Sequence, residues 1–194
     1  MIKRFFDIIF SLIVLYFSLP IFVIFFFLIK LDSAGAVFFK QKRIGKNGKA
    51  FLIFKFRTMR AEKGPLLTTS KDNRITSLGR FLRRINFDEL PQFWNIVKGQ
   101  MSVVGPRPEI PEIVENFTEE QKKILNFKPG FTSYATLKCL NEEKILDDKN
   151  LMQQYYNEQL PLKIKYDLEY FYHNSNFLND LLIILKTVGK TFWS

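Results

Sequence analysis

Two adjacent carboxylates, in the run Phe87-Asp88-Glu89-Leu90-Pro91, are the strongest candidates for chemistry in this sequence. Adjacent carboxylates can converge on one hard cation such as Mg²⁺, which takes one or two protein carboxylates and completes its shell with substrate phosphate oxygens and water. A carboxylate can also act as a nucleophile toward phosphorus. A plainer role stays open: Asp88 as the N-cap of the following helix, with Pro91 in its first turn, where a missing N–H costs nothing. Lys55, Arg57 and Arg107 suit phosphate, Arg as a bidentate fork and Lys as a point charge. Each alone reads as a solvated surface charge; with the carboxylates they form a set able to handle phosphoryl groups.

Other chemistries are poorly supplied. The one histidine, His173, excludes multi-histidine metal sites, and the one cysteine, Cys139, excludes a disulfide framework and a cysteine-built zinc site. Cys139 reads as a small buried hydrophobe. The chain carries no phosphate-cradling glycine loop and no zinc-protease or serine-hydrolase motif. With 22 Phe and 47% apolar residues it is not disordered.

The elements that must position these groups fall into three unequal parts. From Ile8 to Ile29 no residue is charged, and at about 1.5 Å per residue this stretch is long enough to cross a bilayer core. Residues 30–84 hold fifteen Lys/Arg against three acidic residues, and residues 85–194 are mildly acidic, within a net charge of +10. The basic middle calls for an anionic partner: a membrane surface, a nucleic acid or a phosphorylated substrate. Positive charge flanks the apolar head on both sides, at Lys3 and Arg4 and then at Lys30, Lys40, Lys42 and Arg43, which keeps both ends on the cytoplasmic side. A helix broken at Pro20, with the Ser18 hydroxyl nearby, could dip into the membrane and return; a straight span remains the alternative.

Beyond the head, Val37–Phe39 and Phe51–Phe54 flank Asn47-Gly48 and predict a β-hairpin. Residues 61–76 read as a flexible loop. Leu78, Phe81, Leu82 and Ile85, interleaved with Arg80, Arg83 and Arg84, predict an amphipathic basic helix suited to an anionic interface. A helix is expected from Pro91 to Lys98, ended by Gly99, with further helices over 111–126, 147–172 and 177–193. The predicted fold is α+β and helix-rich: a re-entrant membrane helix (1–30) broken near Pro20, then a cytoplasmic membrane-associated domain (31–194) in which amphipathic interfacial helices and the hairpin surround a core.

In order along the chain, these motifs resemble the bacterial sugar transferases, the small membrane-associated phosphoglycosyl transferases. The resemblance rests on Phe6-Asp7 followed by the Pro-broken apolar run, on Phe38–Gly45, Lys55–Met59, Thr76–Arg83, Asp88–Ser102, Val104–Pro108, Lys128–Thr132 and Asp167–Tyr170. It implies transfer of a sugar 1-phosphate from a UDP-sugar to a polyprenol phosphate, with release of UMP, at the cytoplasmic face of the bacterial inner membrane. It implies Asp88 as the nucleophile of a covalent phosphosugar intermediate, Glu89 (with Asp88) as the Mg²⁺ ligand, Arg107, Lys55 and Arg57 as phosphate binders, and Asp167, Pro106 and Pro108 in support. The family's Ser-Pro pair reads Leu19-Pro20 here, with Ser18 displaced by one. The run Ser133–Cys139 departs from the family pattern, so the donor sugar is not inherited. That departure motivates a second reading, a non-catalytic membrane-anchored scaffold. A nucleic-acid binder is the third; the aromatics of the basic segment follow core patterns rather than a base-stacking platform, so no nucleic-acid partner is expected.

Overall fold

The computed structural model describes residues 2–61, 64, 72–139 and 151–193. Much of the loop expected over 61–76, and the start of the helix expected over 147–172, lie outside these residues. Helix α1 (Ile2–Asp32) is a single helix with Pro20 inside it. At about 1.5 Å per residue it is about 46 Å long, more than a bilayer core needs. Its buried positions, Asp7, Ser11, Ser18, Phe25 and Ile29, are spaced by four and seven and so form one stripe. The opposite side carries apolar residues in the open, Phe17 at 73% and Leu31 at 85% exposure. An apolar face of this extent marks α1 as the membrane-associating element.

The stripe packs on the rest of the protein in both halves of the helix. Phe6, Phe10, Val14 and Leu15 join the core built around Phe93, Ile96, Met101 and Val103. Ile21, Phe22, Phe25 and Ile29 join a second core with Val37, Phe56 and Leu82. Polar bonds fix the first end. The Asp7 carboxylate accepts from Ser102 Oγ at 2.8 Å and from the Val103 N–H at 3.0 Å. Arg4 donates to the carbonyls of Ile96 and Val97, which end α3 (Phe93–Val97), where a cation complements the helix dipole.

The expected hairpin forms and is longer than its apolar runs suggest. Strand β1 (Phe38–Ile44) pairs antiparallel with β2 (Ala50–Phe56), with Phe38 opposite Phe56 and Ile44 opposite Ala50. The turn holds Asn47 and Gly48 at positive φ, 57° and 71°, which these two residue types tolerate. Alternation along β2 buries Phe51 and Ile53 and puts Lys55 on the same face, directed into the protein.

The basic helix is α2 (Ser77–Arg84), capped by Thr76, whose hydroxyl accepts from the Gly79 N–H. Asn86, left-handed at φ 55°, ends it and opens a 3₁₀ turn over Phe87–Gln92 that runs into α3. Strand β3 (Ser102–Val104) lies parallel to β4 (Gly130–Thr132). Beside this pair the backbones of Gly105 and Gly130 meet so closely that a Cβ on Gly130 would lie 2.0 Å from the Gly105 nitrogen. The two glycine motifs, Val104–Pro108 and Lys128–Thr132, are thus two sides of one backbone contact.

The region expected as one helix over 111–126 is divided into α4 (Pro111–Val114), α5 (Glu119–Lys122) and a 3₁₀ turn. Thr118 starts α5 with a reciprocal cap to Gln121, and this local start signal outweighs the longer periodicity. Helix α6 (Tyr134–Lys138) begins at the Ser133 cap. Then α7 (Leu151–Gln154), α8 (Leu160–Glu169) and intervening π-helical turns form one helical run to Asn174, and α9 (Phe177–Trp193) closes the chain.

Candidate active site

Asp88 and Glu89 lie in the 3₁₀ turn and are 7% and 9% exposed. The capping role does not hold for Asp88: the residue before the turn is Asn86, and no side chain caps it. Among the described residues the Asp88 carboxylate accepts no hydrogen bond. It faces a cleft of about 780 Å³ that also takes in Lys55, Arg83, Glu89, Arg107 and Asp167. That volume is in the range of small-molecule sites.

The two carboxylates are treated differently by their surroundings. Lys55 Nζ and Arg107 Nη2 both bond Glu89 Oε1, at 2.5 and 2.9 Å. Burial pushes Glu89 upward, but the charges and hydrogen bonds of Arg107 and Lys55 outweigh it and hold the carboxyl well below the usual range. Asp88 is pushed up, by burial first and by the Glu89 charge second, with Lys55, Arg83 and Arg107 restraining the rise. Glu89 is therefore a fixed anion, and Asp88, bonded by no described residue, is a more basic carboxylate beside it.

The cations come from distant parts of the chain. Lys55 reaches Glu89 from the inner face of β2. Arg107 stands on a rigid turn between the buried Pro106 and Pro108; its side chain is 48% exposed, against 18% for Lys55. The Pro108 carbonyl accepts from Arg43, and the Pro106 carbonyl from the Gly130 N–H, so the turn is held from both sides. Arg57 also lines the cleft, but its guanidinium donates to the carbonyls of Ile29, Ser33 and Ala34 at the end of α1 rather than to Glu89.

Asp167, on α8, accepts from the Ala135 N–H at 2.8 Å. Burial raises it to about 7 against the opposing bonds from Ala135 and Ser133. Between the ordinary carboxyl value and about pH 7, the unfolded chain has released a proton that the folded chain keeps, so stability is lost as pH rises through that window. Asp167→Asn removes this titration and keeps an acceptor for Ala135. In thermal unfolding of the lipid-reconstituted protein the variant is expected to gain on the wild type from pH 4 to pH 8. A gap that does not change with pH would contradict this.

A further group in the cleft was not singled out from sequence. Tyr155 donates to Glu109 Oε1 at 2.6 Å, and Arg43 lies 3.6 Å from the other Glu109 oxygen. Burial and the Glu109 charge push the Tyr155 hydroxyl well above its usual value, so it stays a protonated donor. From sequence Arg43 reads as a flanking positive charge and a motif position, and nothing local marks the Tyr155–Glu109 bond, which spans 46 residues.

The donor set suits a hard divalent cation. Both Asp88 oxygens and Glu89 Oε2 are unbonded among the described residues. No group of three or more His, Cys, Asp or Glu side chains placed to hold a metal occurs among those residues. Asp88 and Glu89 are the residues that could hold a divalent cation such as Mg²⁺, which takes one or two protein carboxylates and leaves its other positions to phosphate and water.

The sequence matches the bacterial sugar transferase family over residues 1–194. This chain belongs to that family. As a sugar transferase it is 45% identical, over 134 residues, to a Bacillus subtilis protein with the provisional name undecaprenyl-phosphate N-acetylgalactosaminyl 1-phosphate transferase; the match covers 68% of this chain and 71% of that one. An uncharacterized sugar transferase of the same organism is 34% identical over all of this chain and 88% of its own length. The Escherichia coli UDP-glucose:undecaprenyl-phosphate glucose-1-phosphate transferase is 34% identical over 99% of this chain, which spans 40% of that longer protein.

Proposed function

We propose that this sugar transferase moves a sugar 1-phosphate from a UDP-sugar to polyprenol phosphate, with Asp88 as the nucleophile and UMP as the leaving group. The observation that carries the reading is the asymmetric pair: an Asp88 that faces the cleft with no hydrogen bond from a described residue, beside a Glu89 pinned by Lys55 and Arg107. An Asp88 oxygen attacks the β-phosphorus; the bond from that phosphorus to the bridging oxygen breaks, and its electron pair leaves with UMP. A phosphate oxygen of the polyprenol then attacks the same phosphorus, and the electron pair returns to Asp88. Lys55 and Arg107 hold Glu89 ionised, and Arg107, half-exposed on its turn, also faces the donor phosphates. Asp88 and Glu89 would hold Mg²⁺, which when bound neutralises the diphosphate and stabilises the leaving phosphate.

The membrane reading is that α1 enters and leaves the cytoplasmic leaflet of the bacterial inner membrane as a re-entrant helix bent at Pro20. Support comes from the packing of both halves of α1 on the same domain. Membrane-impermeant labelling of cysteines placed at Ile2 and Ala36 should modify both from the cytoplasmic side only; labelling from opposite sides rejects the topology.

The test of the chemistry uses the protein with UDP-sugars, Mg²⁺ and no acceptor. The expected result is a burst of about one UMP per active site and a protein mass increased by one sugar phosphate, discharged when polyprenol phosphate is added. Turnover without any adduct under rapid quench argues for direct transfer. A folded wild type that is inert across a broad donor panel favours the scaffold reading raised by Ser133–Cys139.

A further inference from the structure

We infer that Arg57 is a positioning residue: its guanidinium fastens the C-terminal end of α1 to strand β2 and so sets where Lys55 meets Glu89. The inference rests on the reading of Asp88 and Glu89 as the reacting pair, and it gives Arg57 a role other than phosphate binding.

The fork is spent on backbone. Nη1 donates to the Ala34 carbonyl at 3.0 Å, and Nη2 to those of Ser33 at 2.6 Å and Ile29 at 3.2 Å. A helix end leaves its last carbonyls without intrahelical partners, and a cation there also meets the negative end of the dipole. Arg57 Nε is buried without a partner, so the polar contacts are made by the two outer nitrogens. The Arg57 N–H donates to the Val37 carbonyl at 2.8 Å, which closes the 33–37 segment around the side chain.

Gly35 supplies the room. It sits at φ +121°, and a Cβ placed on it would lie 2.4 Å from Arg57 Nη1. Lys30 Nζ bonds the Gly35 carbonyl at 3.1 Å, which holds the peptide in place. A side chain at Gly35 would displace the guanidinium while leaving its charge in the molecule.

The consequence for the site follows from strand geometry. Arg57 follows directly on β2, and its N–H bonds the Val37 carbonyl, so its anchorage fixes the end of the strand that carries Lys55 two residues earlier. Lys55 is 2.5 Å from Glu89. A lysine at position 57 would supply the charge from a single nitrogen, without the two separated donor nitrogens that Arg57 places on Ala34 and on Ser33 and Ile29.

The experiment uses the full chain in lipid nanodiscs with a UDP-sugar that the wild type accepts. Arg57→Ala, Arg57→Lys, Gly35→Ala and the double variant Gly35→Ala/Arg57→Ala are compared by kcat, donor KM and amide hydrogen exchange. Arg57→Ala is expected to lower kcat tenfold or more, to leave donor KM within threefold, and to speed exchange over residues 33–37 at least tenfold. Arg57→Lys should restore only part of kcat. Gly35→Ala should lower kcat in the presence of Arg57 and add little to Arg57→Ala, the signature of two residues acting through one contact. A donor KM raised tenfold or more, with kcat and exchange unchanged, would make Arg57 a phosphate ligand and overturn the inference. Asp88→Asn separates the two levels. If it keeps normal turnover, the active-site reading fails, and the fastening stands or falls on exchange alone, with unaltered rates over 33–37 in Arg57→Ala rejecting it.

Discussion

Asp88→Asn is expected to lower turnover by about three orders of magnitude or more, the scale seen when a covalent nucleophile is removed, while leaving the protein folded and able to bind donor. The substitution keeps shape and volume but removes the attacking oxygen's charge. Asp88 is 7% exposed and carries no hydrogen bond from a described residue, so no described partner is orphaned. Burial and the Glu89 charge raise its pKa, which means that its ionised form is held at a cost. A neutral amide relieves that cost and the repulsion of the incoming diphosphate. The variant should unfold at a temperature equal to or above that of the wild type and bind UDP-sugar with equal or greater affinity. It should form no phosphosugar adduct and give no UMP burst. Turnover within tenfold of the wild type would remove Asp88 from the mechanism. A loss of donor affinity with the remaining chemistry intact would recast it as a binding group.

What could be read in the sequence was what is local. The apolar head, the Asn47-Gly48 hairpin and the basic helix after Thr76 each carry their signal within a few residues, and each is present. The carboxylate pair was legible for the same reason. The split of 111–126 was missed because the cap at Thr118 interrupts an otherwise continuous pattern. What could not be read was the other end of each long-range bond. Lys55 to Glu89 crosses 34 residues, Arg107 to Glu89 crosses 18, and Val103 to Asp7 crosses 96. A charge on a strand looks the same whether it meets a carboxylate, a substrate or a helix end. Residue chemistry and the motif resemblance both grouped Lys55, Arg57 and Arg107 as phosphate binders. That grouping hid a difference: two of the three converge on Glu89, and the third caps α1. Asp7 likewise stood out only as part of a motif, although its carboxylate ties the membrane helix to β3, the strand that leads into the Arg107 turn.

Lys55→Met separates the electrostatic role of the cations from their role toward substrate. The Lys55–Glu89 pair has little solvent to screen it, with side chains 18% and 12% exposed. Removing one partner of a buried pair typically costs 3–5 kcal/mol; Arg107 still faces Glu89 here, so a loss of about 3 kcal/mol, at the low end of that range, is expected at neutral pH. The sign with pH follows from the shift. In the wild type Glu89 is held below its ordinary value, so its contribution to stability is present above the unfolded pKa and is lost as pH falls through the folded one. Without Lys55, burial is opposed by Arg107 alone, so the folded pKa moves up from its wild-type position. The gap between wild type and variant should therefore open as pH rises through the wild-type folded value, well below the usual carboxyl range, and stop widening once pH passes the variant's own folded value, and the acid limb of the variant's activity should move upward. Arg107→Met should also move the folded pKa of Glu89 upward, because the Arg107 charge is the largest of the causes that lower it, while its 48% exposure screens the cost to stability. The decisive comparison is the double variant Lys55→Met/Glu89→Gln, in which the buried charge leaves with its partner. It should recover much of the stability lost by Lys55→Met and none of the activity. A double variant no more stable than Lys55→Met, or a stability gap that is flat with pH, would mean that Lys55 does not serve to hold Glu89 ionised.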